Sequence, residues 1–160
     1  MAEHKRGLVA VQVWSADGAA PPMALPLMTA RVAAGFPSPA DDYLEKRLDL
    51  NEYLIKHPAA TFFIRVEGES MTGAGIHSGD ILIVDRALEP ADKSIVIAVI
   101  NGELTVKRVR KSRGRLWLTA ENERFAPIEV SSDFDFQIWG VATFVIHSLQ
   151  ARHTGVLPPR

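Results

Sequence analysis

The sequence predicts a mainly β domain of several short strands, preceded by short helices and an extended N-terminal arm. Three observations predict it. Runs rich in β-branched and aromatic residues recur after Ala60, at 61–66, 81–84 and 95–100. Asn101-Gly102 separates the last of these from the strand-like run 103–109, and that dipeptide suits the positive φ angles of a tight hairpin turn. Upstream of Ala60 the signals change to helix starts, and before those to Pro and Gly punctuation.

Residues 1–35 read as an arm. They include Ala16-Asp17-Gly18-Ala19-Ala20-Pro21-Pro22 and then a modest apolar segment over 23–34. Such a segment can dock as an extended strand, but it buries no core by itself. Ser38 then offers an N-cap, Pro39 suits the first helical position and Asp41 the first turn, which predicts a helix with Tyr43, Leu44 and Leu48 on one face. Asp49 with Glu52 predicts a second, shorter helix carrying Tyr53, Leu54 and Ile55, stopped by Pro58. Strands follow at 61–66, 81–84, 95–100, 103–109, 116–119 and 136–147, with Ser78-Gly79-Asp80 as a turn. The domain therefore covers 36–149, and the tail 150–160 is expected to be disordered.

Bulk properties remove several classes of function. The formal net charge is −1, so no global basic field holds nucleic acid and little direct DNA binding is expected. The basic residues Lys107, Arg108, Arg110, Lys111, Arg113 and Arg115 read as a solvated hairpin end. Without cysteine there is no disulfide, thiol nucleophile or Cys-ligated zinc. The five histidines show no ligand spacing, so neither a metal nor a cofactor is expected. No apolar run approaches the roughly twenty residues of a membrane span, and the expectation is a soluble cytoplasmic protein without membrane contact.

Three features carry possible chemistry. Gly68-Glu69-Ser70-Met71 is a small-residue turn directly after a strong strand, where a serine hydroxyl can lie close to free backbone N–H groups. Alone, such a serine more often caps its turn. Lys107 sits inside a strand whose alternation leaves its burial open. Buried, it becomes a neutral amine able to take a serine proton; exposed, it is an ordinary solvated lysine. Ala34-Gly35 is a small-small pair where the arm meets the domain, the kind of bond a protease cleft accommodates. No Gly-x-Ser-x-Gly elbow and no phosphate-binding glycine loop is present.

Together these stretches resemble the UmuD/LexA-type family of self-cleaving Ser–Lys peptidases. The resemblance rests on Gly35-Phe36-Pro37-Ser38-Pro39-Ala40, Asp49-Leu50-Asn51, His57-Pro58-Ala59-Ala60-Thr61, Gly68-Glu69-Ser70-Met71, Ser78-Gly79-Asp80 with Ile81-Leu82-Ile83-Val84-Asp85, and Gly102-Glu103-Leu104-Thr105-Val106-Lys107. It spans about 24–149 in the family's order. It implies a LexA/signal-peptidase-like β domain, with Ser70 as nucleophile and Lys107 as general base. It further implies backbone amides of Ser70 and Glu69 as oxyanion donors, and Ala34–Gly35 as the scissile bond. The implied protein is a homodimer that cuts off its arm when stimulated by RecA–single-stranded DNA filaments. It then serves a Y-family, UmuC-like translesion DNA polymerase, with no cofactor. The chain departs from the family in a longer segment before Ala24, a longer tail after Leu149 and a less acidic 71–76 loop.

Other readings differ by identifiable features. A LexA-like repressor needs an N-terminal helix-turn-helix, and 1–35 holds no two-helix pattern. A signal-peptidase-like enzyme acting on other proteins needs a membrane anchor. A catalytically idle polymerase-binding module keeps the same residues and differs only in behaviour.

Overall fold

The structure, a computed structural model, describes residues 7–16, 21–28 and 44–150. Ten strands and one short α-helix are described, besides two single 3-10 turns: β1 (Val9–Ser15), β2 (Ala24–Met28), β3 (Leu44–Asp49), α1 (Leu50–Leu54), β4 (Thr61–Glu67), β5 (Ile81–Asp85), β6 (Ile95–Ile100), β7 (Glu103–Ser112), β8 (Arg115–Thr119), β9 (Ile128–Val130) and β10 (Phe136–Ile146). The mainly β class and the strands expected after Ala60 are all present. The β6–β7 turn forms at Asn101 and Gly102, with φ of +50° and +81°. Those angles suit the twist that antiparallel strands need.

Eight strands form one antiparallel sheet in the order β1-β4-β5-β10-β6-β7-β8-β9, and β1 also pairs with β7. That extra pairing closes β1, β4, β5, β10, β6 and β7 into a barrel, with β8 and β9 as an outlying flap. Closure removes the open edges that make isolated sheets prone to mispairing. Inside lie Leu8, Ile64, Val66, Met71, Ile76, Leu82, Val84, Ile97 and Val106. A second cluster of Val96, Ala98, Val109, Leu118 and Val141 packs under the flap. The period-2 alternation is visible in β7: Leu104 and Val106 face the first cluster, whereas Val109 joins the second.

One expectation changes. The part of the Ser38 helix that lies within the described residues, 44–49, is a strand: β3 pairs with β2, Leu25 opposite Leu48 and Met28 opposite Leu44. Leu44 and Leu48 fit a helix at spacing four and a strand at spacing two equally well, and the partner strand decides. The arm, in turn, supplies β1 and β2. The second helix forms as read: Asp49 Oδ1 accepts from the Asn51 amide at 2.8 Å. Asp49 Oδ2 accepts from the Met23 amide at 2.6 Å, so one carboxylate holds both the helix start and β2. Tyr53 of this helix stacks, tilted, on Phe144 of β10 at 5.6 Å.

Candidate active site

Ser70 lies in the turn after β4 and is fully buried, at 0% exposure. Gly68 opens that turn with φ of +121°, a conformation that side chains rarely allow. The loop after β8 braces the turn from outside. The Glu121 amide donates to the Ser70 carbonyl at 2.8 Å, and the Gly73 amide donates to the Glu121 carbonyl at 2.7 Å. The Asn122 side-chain amide donates to the Glu69 carbonyl at 2.9 Å. Among the described residues no hydrogen bond runs from the backbone amides of Glu69 or Ser70 to a protein oxygen.

Lys107 settles the choice left open by its strand pattern, being only 7% exposed. Its alternation on β7 places it on the face shared with Thr105 and away from Val106. Its ammonium lies 5.7 Å from the centre of the Phe125 ring, in the same loop that braces the serine turn. Burial strips water from the ammonium and pushes the Lys107 pKa below its ordinary 10.5. Lys107 and Thr105 also line a cavity of about 280 Å³. The neighbouring Arg108 pairs with Glu121 through Nε, so β7 and the bracing loop are tied beside the lysine.

A single residue connects the two sides. The Leu8 amide donates to Ser70 Oγ at 2.8 Å. The Leu8 carbonyl accepts from Thr105 Oγ1 and from the Val106 amide, both at 3.0 Å. Ser70 on the β4 side and the Lys107 strand on the other thus flank one extended backbone. Among the described residues no hydrogen bond joins Ser70 to Lys107 directly. Ala34 and Gly35 lie outside the described residues. The connection that contains them runs from β2 to β3, whose ends Met28 and Leu44 are paired.

Glu121, Asn122 and Phe125 carry no motif that single-sequence reading can find, because they reach the site only through the fold. A histidine cluster is likewise invisible in the spacing. His77, Asp80 and His147 bring their ligand atoms within 4.8 Å of one another. Asp80 is buried, and both its oxygens are used: Oδ1 with His147 Nδ1 at 2.6 Å, and Oδ2 with the His77 amide at 2.8 Å. That satisfies the carboxylate as a staple between the 78–80 turn and the end of β10. The basic run divides: Lys107 is buried and Arg108 paired, whereas Arg110, Lys111, Arg113 and Arg115 remain on the exposed hairpin. No helix among the described residues is long and apolar enough to cross a membrane.

Residues 26–143 match the Peptidase S24-like family. The chain is 48% identical over 128 residues to Protein ImpA of Escherichia coli, covering 76% of this chain and 83% of that protein. It is 47% identical over 126 residues to Protein SamA of Salmonella typhimurium, covering 79% and 87%. With Protein MucA of Escherichia coli it shares 43% identity over 140 residues, covering 87% and 93%. The chain therefore belongs to the Peptidase S24-like family, among its UmuD-like members.

Proposed function

We propose that the protein is a UmuD-like serine peptidase of the SOS response that cuts its own chain between Ala34 and Gly35. The observation that carries the reading is the placement of Ser70 and the buried, pKa-lowered Lys107 strand on either side of one extended backbone. In this reading a peptide entering that gap meets the Ser70 hydroxyl from one side and the strand that carries Lys107, an amine whose burial favours its neutral form, on the other.

In the cleavage, neutral Lys107 takes the proton of Ser70 Oγ as Oγ bonds to the Ala34 carbonyl carbon. The amides of Ser70 and Glu69 receive the developing negative charge on the carbonyl oxygen. When the C–N bond breaks, the Lys107 ammonium returns the proton to the Gly35 nitrogen. Water, deprotonated by the same amine, then hydrolyses the Ser70 ester and frees the Ala34 carboxylate. The tether from β2 to β3 keeps the scissile segment at high effective concentration, so a weak catalyst suffices.

RecA–single-stranded DNA filaments are the activator in this reading. The product 35–160 works as a homodimer and as the accessory subunit of an error-prone, UmuC-like polymerase. A time course with RecA, single-stranded DNA and a non-hydrolysed ATP analogue tests it. Wild type is expected to lose residues 1–34 while Ser70→Ala and Lys107→Ala stay whole. Equal cutting of Ser70→Ala overturns the dyad, and no cutting of wild type leaves an idle polymerase-binding module.

A further inference from the structure

The segment found against Ser70 is not the one expected to be cut. Gly7, Leu8 and β1 lie in the longer stretch before Ala24, yet they run through the gap between the serine turn and β7 as a complete strand. β1 pairs antiparallel with β4, from Val9 opposite Glu67 to Ser15 opposite Phe62. Val9 also pairs with Thr105 of β7, so the start of β1 is held on both edges. Leu8 is 0% exposed, its side chain in the barrel core. Gly68 makes the approach possible: a Cβ there would meet the Gly7 carbonyl oxygen at 2.3 Å and Leu8 Cα at 2.9 Å.

We infer that residues 7–15 are a resident competitor for the substrate groove, held against Ser70 in a non-productive register, and that the scissile segment enters only when this strand leaves. The inference rests on the reading of Ser70 as nucleophile. The register is non-productive because an N–H, and no carbonyl carbon, faces Ser70 Oγ. A donated hydrogen bond draws charge from the oxygen that must attack. The groove's backbone partners for an incoming strand are also already used: the Leu8 carbonyl holds the Val106 amide, and β1 fills the β4 edge. Two strands cannot share one edge, so β1 and the 34–35 segment exclude each other. The rate of self-cleavage then scales with the fraction of molecules whose β1 is undocked. Anything that traps the displaced strand raises that fraction.

The chain contains no cysteine, so a reversible staple is clean. Gln12→Cys with Arg65→Cys joins Cα-paired positions of β1 and β4 in the full-length chain. Leu8→Pro, also in the full chain, removes the N–H that Ser70 accepts. Two readouts are taken by intact mass: loss of residues 1–34 at alkaline pH, and adduct formation at Ser70 with a small fluorophosphonate. The expected result is that the oxidised staple neither cuts nor labels and that reduction restores both. Leu8→Pro is expected to label about tenfold faster than wild type, the worth of one buried hydrogen bond. Equal cutting and labelling of the oxidised and reduced staple overturns the inference. Faster labelling on reduction, with no variant ever cutting, supports the resident strand and instead overturns self-cleavage.

Discussion

β7 places the basic side chain of Lys107 where water is scarce, and its pH behaviour follows from that. Burial favours the neutral amine, so the folded protein gives up this proton at lower pH than the unfolded chain does. Below the folded pKa both states hold the proton, and the fold bears the full cost of a buried ammonium. That cost shrinks as pH rises from there towards 10.5, where unfolded lysine also deprotonates. The contribution of Lys107 to stability therefore increases with pH across that window. Self-cleavage, following the neutral fraction, is expected to rise with pH and level off before 10.5. Lys107→Arg, which stays charged, is expected to abolish the reaction while leaving little pH dependence in its stability over the same window. Rate profiles and denaturation midpoints against pH check both. At this scale the sequence was legible in part. Ser70 and Lys107 stand out through turn chemistry and family likeness, but the burial of Lys107 was not readable, because Thr105 and Glu103 share its face while Val109 does too.

Between residues and fold, the loop after β8 determines how firmly the serine turn is held. Gly73 packs so close to this loop that a Cβ would lie 2.6 Å from the Glu121 carbonyl oxygen. Gly73→Ala is expected to break the Gly73–Glu121 bond, shift the loop and lower the self-cleavage rate by about tenfold or more, since small misplacements near a nucleophile are costly. The check is a cleavage time course run beside a melting curve, because the effect on rate should exceed the effect on stability. On the opposite side, Asp49→Ala removes the cap of α1 and the acceptor of the Met23 amide together. A loss of about 1–2 kcal/mol in denaturant unfolding is expected. Elements with their own local signature were legible in the sequence: the Asn101-Gly102 hairpin, the Asp49 cap and the apolar strands of the barrel. The elements that depend on a distant partner were not. β3 read as helix because its leucines suit both periods, and β1, with Gln12 interrupting its apolar run and Pro and Gly punctuation after it, read as part of an arm.

As a whole, the molecule is a barrel that its own N-terminal segment closes, so the self-cleavage proposed above would be a structural event as well as a chemical one. Residues 1–34 include β1, β2 and the core side chain of Leu8. Their departure opens the β4 and β7 edges and takes a leucine from the core. Loss of such a side chain costs about 2–5 kcal/mol. The purified product 35–160 is accordingly expected to unfold at lower denaturant than the intact chain and to bind more of an apolar dye. Equal midpoints for the two would mean that β1 adds nothing to the barrel. The mainly β class and the strands after Ala60 follow from alternation and turns, whereas the insertion of β10 between β5 and β6 and the barrel closure by β1 depend on pairings far apart in the chain. The measurement that tests the central claim most directly is intact-mass spectrometry of purified wild type held at mildly alkaline pH with no other protein present. A species consisting of residues 35–160 is expected to accumulate in wild type and to be absent from Ser70→Ala and Lys107→Ala. A wild-type chain that stays whole, or a Ser70→Ala chain cut at the same bond, contradicts it.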